Sequence, residues 1–167
     1  MPTVSGQTIN PSAADPLDLV EAIVESHEWP FDRSEGELVV SISGNWCDYH
    51  LCFSVLPEIN ALHVTCAPDL RVAQNRYGEI YELLGRMNER LVLGHFDLWS
   101  EDGVPLFRLS QFMPNHSERC LLVAEHLIEI ALTECERFYP ALQFLLWGGM
   151  TPADALDGAL LETQGTA

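Results

Sequence analysis

Residues 87–110 read MNERLVLGHFDLWSEDGVPLFRLS, and this stretch decides the fold. It opens as the last turn of a helix. Leu91 to Trp99 is extended and apolar-rich, the pattern of a strand. Ser100-Glu101-Asp102-Gly103 is a turn cluster, with glycine available for positive φ. Val104 to Leu109 returns as the partner strand, so helix and hairpin are directly joined. Such a junction specifies architecture and names no chemistry.

Upstream, Asp15-Pro16 opens a helix, with Asp as N-cap and Pro at N1. Leu17, Val20, Ile23, Val24 and His27 fall at helical spacing, and Pro30 closes the segment. Glu35-Gly36 is a turn. Three strand candidates follow, at Glu37–Ser43, Cys47–Leu56 and Ala61–Ala67. Leu38, Val40 and Ile42 alternate with smaller residues, as do Tyr49, Leu51, Phe53 and Val55. Gly44-Asn45 and Pro57–Asn60 are the turns between them. An antiparallel meander with one packed and one partly wet face is expected. A helix from about Gln74 to Leu91 then carries Tyr77, Ile80, Tyr81, Leu84, Met87, Asn88 and Leu91 as its stripe. Gly78 and Gly85 within it weaken the helix, and a close neighbour is the expected reason for them.

Downstream, Met113-Pro114-Asn115 breaks the chain. Asn115 or Ser117 caps the longest helix, in which Pro140 predicts a kink near 136–139. Gly148-Gly149 stops it, and Thr151-Pro152 starts a last short helix over Ala153–Leu161. Residues 1–15, rich in Ser, Thr, Pro and Ala, form a floppy tail, and one domain spans 16–162.

The chain has 167 residues, 47% hydrophobic and 20% charged, a globular composition with length enough for a core. It carries 25 acidic residues against 8 basic ones, all arginine, for a net charge of −17. That balance repels phosphate backbones and anionic headgroups, so neither nucleic acid nor a membrane is an expected partner. No apolar run approaches the roughly 18 residues of a membrane span, and the first residues lack the basic and apolar regions of a signal peptide. A cytoplasmic location follows. Five cysteines at 47, 52, 66, 120 and 135 lack any CxxC pairing, so buried free thiols are expected rather than disulfides or zinc.

Chemistry-bearing clusters are few. His126 and Glu129 form one His-x-x-Glu, where a carboxylate-bridged metal site needs several such motifs. Cys47 and His50 point to opposite faces of one strand and cannot act as nucleophile and base. No phosphate loop, dinucleotide fingerprint or nucleophile elbow occurs. No catalytic residue, metal ligand or cofactor is therefore assigned. The structural or interface candidates are Asn88, whose amide needs backbone partners; His95, opposite Gly94 and Phe96 on its strand; Arg108, placed for an ion pair with Asp97, Glu101 or Asp102; and Phe144 with Trp147, in an all-round apolar stretch.

Asn88, Leu93, Gly94, Phe96, Gly103 and Arg108 also carry a resemblance. An Asn near a helix end, a Leu-Gly-x-Phe strand, an acidic-Gly turn and a strand with Arg resemble the YbjN family of bacterial proteins. That family is similar in fold to the chaperones of type III secretion. The likeness covers roughly 16 to 162. It implies an α+β fold, an antiparallel sheet in the order α-β-β-β-α-β-β-α-α. It further implies a homodimer that acts as a non-enzymatic protein-binding or sensory-transduction regulatory module, receiving a segment of a client protein. The alternative is a small-ligand-binding protein or an enzyme whose site leaves no motif.

Overall fold

The computed structural model describes residues 15–115 and 117–164. The expected tail falls almost wholly outside the described residues, as does the Ser117 side chain expected to cap the longest helix. Ten main elements follow the α+β order: α1 (Pro16–Ser26), β1 (Phe31–Ser34), β2 (Glu37–Ser43), β3 (Asp48–Leu56), β4 (Ala61–Pro68), α2 (Tyr77–Asn88), β5 (His95–Trp99), β6 (Val104–Phe112), α3 (Ser117–Leu146) and α4 (Pro152–Gln164).

The strands form one antiparallel sheet in the order β1-β2-β3-β4-β6-β5. The first four are a meander. The chain then leaves through α2 and returns as the edge strand β5, so that β6 fills the gap beside β4. Register puts the large apolar residues on one face. Leu38, Phe53, Val64 and Leu109 form one cross-strand row, and Val40, Leu51, Cys66, Phe107 and Phe96 the next. All of these are buried. On the other face Val39, Ser41, His50, His63, Arg108 and His95 are half-buried or exposed, while Ala61 and Leu106 are buried. The period of two in the sequence thus becomes one dry and one wet face.

The helices cover the dry face. In α3, Ala124, Leu127, Ala131, Cys135, Phe138 and Leu142 are buried at spacings of three and four. Phe138 meets Phe96 edge-on, with ring centroids 5.5 Å apart, and Phe96 meets Phe107 at 5.3 Å. Asp15 accepts a hydrogen bond from the Leu17 N–H (3.0 Å), as its N-cap position requires. At α4, the Thr151 hydroxyl oxygen accepts from the Asp154 N–H at 3.2 Å.

Asn88 fixes the helix–hairpin junction. Its amide Nδ2 donates to the Phe96 carbonyl at 3.0 Å, and its Oδ1 accepts from the Phe96 N–H at 2.7 Å. The side chain therefore completes the ladder of an edge strand on its unpaired side. Gly94 bends the chain into that strand at φ +69°, and a Cβ there would come within 2.7 Å of the Arg108 carbonyl oxygen. At Gly103, φ is +68° and the N–H donates to the Trp99 carbonyl at 2.7 Å, closing the acidic turn.

Several expectations need correction. The sheet has six strands, because Phe31–Ser34 pairs with β2 through the two-residue turn Glu35-Gly36. Asp32, Arg33 and Ser34 disguise this strand; it forms because β2 offers an edge. The extended run before Trp99 is a strand only from His95 onward, since Gly94 at positive φ cannot continue a ladder. The second helix begins at Tyr77 after a 3-10 turn over Gln74–Arg76, and it buries Leu83 rather than Tyr81. Nothing lies within 4 Å of a Cβ built at Gly78 or Gly85, so no close neighbour explains either glycine. The helix α4 extends to Gln164, past the expected end at Leu161.

Two outcomes follow. Gly85→Ala on this exposed helix face should stabilise the fold by about 0.5–1 kcal/mol, read as a higher urea midpoint at unchanged slope. Asn88→Leu leaves the Phe96 N–H and C=O without their partners and should cost about 1–3 kcal/mol by the same measurement.

Candidate functional site

A groove follows one exposed stripe of α3. Glu125, Ile128, Glu129, Leu132, Thr133, Glu136 and Arg137 succeed one another along it, from helical turn to helical turn. It spans about 18 Å at 1.5 Å per residue. Its upper half is a hollow of about 340 Å³ between α3 and the end of α1, closed by Ile23, His27 and Trp29. Its lower half, about 740 Å³, lies beside the β2–β3 turn and is flanked by Asn45, Trp46 and Glu162. Leu132 lines both halves and joins them.

The groove exists because α1 is short. Its 11 residues cover α3 only in part, so Leu132 stays half-buried beside the buried Ile128. The wall residues are held in place. Trp29 stacks on the His27 ring, centroids 4.3 Å apart at 19°. Asn45 donates to Glu136 twice, from its backbone N–H at 3.0 Å and from Nδ2 at 2.6 Å. A Cβ at Gly44 would collide with the Glu136 carboxylate and the Tyr49 ring, so this approach of the turn to α3 needs glycine. Tyr49 is fully buried beneath, and its hydroxyl makes no hydrogen bond of normal geometry. Burial, with the Glu136 carboxylate next in effect, pushes that hydroxyl far above its ordinary range.

Electrostatically the groove is acidic. Glu125 and Glu129 are both exposed, and neither enters an ion pair among the described residues. They stand one turn apart, a like-charge spacing that costs a helix about 0.2–0.5 kcal/mol. Arg137 is engaged by Glu134 at 3.5 Å and lies 4.8 Å from the Phe138 ring centroid.

The residues singled out from sequence fall elsewhere. Asn88, Gly94, His95, Phe96 and Arg108 gather around β5. Asn88, Gly94 and Phe96 build the junction. Arg108 pairs with Asp97 at 3.3 Å, and His95 is exposed on the wet face. Beside them His63 lies 2.6 Å from the Ser110 hydroxyl, and burial, then Arg108 and His95, pull its pKa down. Phe144 and Trp147 separate. Phe144 is half-buried with its ring against Gly158 of α4, while Trp147 is 66% exposed. Arg76 donates to the Leu145 carbonyl at 2.9 Å, serving the C-terminal end of α3.

His126 and Glu129 are exposed on α3, and no group of three or more His, Cys, Asp or Glu suited to a metal occurs among the described residues. The five cysteines are free thiols, two buried and three half-buried. Burial raises the Cys47 and Cys52 thiols, the reverse of an activated nucleophile. No helix among the described residues is long and apolar enough to cross a membrane. The groove residues Trp29, Trp46 and Leu132 were not singled out from sequence. No local pattern marked them: that all four tryptophans lie outside the fully buried core is visible only in the structure.

The crystal structure of YbjN from E. coli, described as "a putative transcription regulator", matches this chain at 12% identity and a TM-score of 0.46. The match covers 71% of this chain and 90% of that one. No curated protein matches the sequence. A family profile described as "Putative bacterial sensory transduction regulator" matches residues 16–144, from the start of α1 to within α3. The chain belongs to the YbjN family.

Proposed function

We propose that this chain is a cytoplasmic, non-enzymatic regulatory module that works by holding a segment of a client protein in the α3 groove, in the manner of a secretion chaperone. The observation that carries the reading is the groove itself: two adjoining hollows along α3 that share Leu132, with an aliphatic floor and two partly exposed tryptophans. Amphipathic aromatic side chains with restrained rotamers are the residues from which binding hot spots are built. The family's regulatory description supports the same reading. Free thiols throughout support a reducing compartment.

The module acts as a homodimer. The strand β5 lies at one end of the sheet, its outer side held at Phe96 by Asn88, and exposed Val92 and Leu93 precede it while exposed Trp99 ends it. A second copy packed on this end of the sheet would cover those apolar side chains.

Both parts are open to measurement. Affinity capture from a bacterial lysate with the unaltered chain should recover one protein in stoichiometric amount, and Leu132→Glu should lose it while retaining native circular dichroism. Equal recovery by both proteins would remove the groove from the function. Light scattering after gel filtration should give twice the chain mass of 18.7 kDa, and Val92→Glu should shift the protein toward monomer. A strict monomer of the unaltered chain at tens of micromolar would end the dimer.

A further inference from the structure

The chemistry of the groove narrows what can occupy it. Its floor and one wall belong to α3 and α1, and no strand edge lines it. An extended segment lying there would find no ladder for its N–H and C=O groups, whereas a helix brings those groups already paired. Half-buried Leu132 is the accessible aliphatic contact, and the buried Ile128 one helical turn before it forms the floor.

Charge supplies the second restriction. Glu125, Glu129, Glu136 and Glu162 line the groove against one arginine, Arg137. Arg137 already faces Glu134, and Glu136 already accepts from Asn45. Glu125 and Glu129 face each other across one turn, and neither pairs with a cation among the described residues. A cation brought by the occupant would relieve this repulsion and pair with both.

We infer that the occupant is a cationic amphipathic helix of the client, with aliphatic residues on one face and Lys or Arg one turn apart along its border. This rests on the groove being the client site. The apolar face seats between Trp29, Ile128, Leu132 and Trp46, and the basic residues meet Glu125 and Glu129. Trp29 is stacked and Glu136 is held before any client arrives, so those walls lose little freedom on binding.

The test uses the full chain and three synthetic peptides of about 18 residues, long enough to run the length of the groove. They are a Leu/Lys amphipathic helix, its Leu/Glu counterpart, and the Leu/Lys sequence broken by a central proline. Calorimetry should show saturable one-to-one binding of the Leu/Lys peptide, weakening steeply as salt rises. The other two should bind at least about tenfold more weakly, a difference of about 1.4 kcal/mol. The double variant Glu125→Gln/Glu129→Gln should lose about tenfold in affinity for the Leu/Lys peptide. Removing the same charge at the exposed turn positions, by Glu35→Gln/Glu101→Gln, should leave it unchanged.

Equal loss in both double variants would show diffuse attraction to an acidic protein and overturn the inference. So would equal binding of the proline-broken or Leu/Glu peptide, or no binding of the Leu/Lys peptide. If a native client is still captured and lost with Leu132→Glu while the peptides fail, the groove stands as the client site and its cationic-helix chemistry falls.

Discussion

The burial of α3 against the dry face of the sheet is the contact on which every other element depends. This helix packs on β4 and β6 below, on α1 along one flank and on α2 and α4 toward its end. Its centre is Phe138, fully buried and edge-on to Phe96, which is in turn edge-on to Phe107. Three elements therefore meet through one aromatic chain. A buried phenylalanine is worth about 3–5 kcal/mol against alanine. That is a large share of the roughly 5–15 kcal/mol by which a domain is stable. Cys135, one turn before Phe138, is buried beside Cys66 of β4, its Sγ 3.6 Å from the Cys66 carbonyl. Burial raises its thiol well above the ordinary range and keeps it neutral, so it packs as a small apolar group.

The length of α3 creates the site. Thirty residues span about 45 Å, against about 17 Å for the 11-residue α1 that flanks it. One stripe faces the sheet and another is left partly open. Pro140 sits within this helix and has no N–H for the carbonyl of Glu136. Glu136 nonetheless holds the structure at another point, because its carboxylate binds Asn45 and ties the β2–β3 turn to the helix. That tie keeps Trp46 at the groove rather than free in the turn.

Charge plays a smaller part in the fold than a net of −17 suggests. The ion pairs are exposed or half-exposed, and such pairs contribute under about 1 kcal/mol each. Arg33 is the fullest of them, shared among Asp15, Asp18 and Glu21, and it ties the first turn of α1 to β1. With eight arginines against 25 acids, most carboxylates have no arginine to meet. The surplus that gathers at the groove is a property of recognition and solubility, not of packing.

All the elements but β1, their relative order and the dry face follow from local periodicity. Leu38, Val40 and Ile42 alternate whatever surrounds them, and Asp15-Pro16 and Thr151-Pro152 carry helix starts in their own side chains. The sequence also determined that Asn88 must find backbone partners, since a polar amide on an apolar stripe cannot go unpaired. Only the tertiary structure decided the rest. Phe31 and the three polar residues after it became a strand because β2 had an unpaired edge to offer. The helix of Tyr77–Asn88 turned Leu83 inward and Tyr81 outward because α4 and β5 fixed its rotation. The groove joins residues 23–29, 45–46 and 125–137, far apart in the chain, and no local pattern relates them. It is defined by where α1 stops short of covering α3.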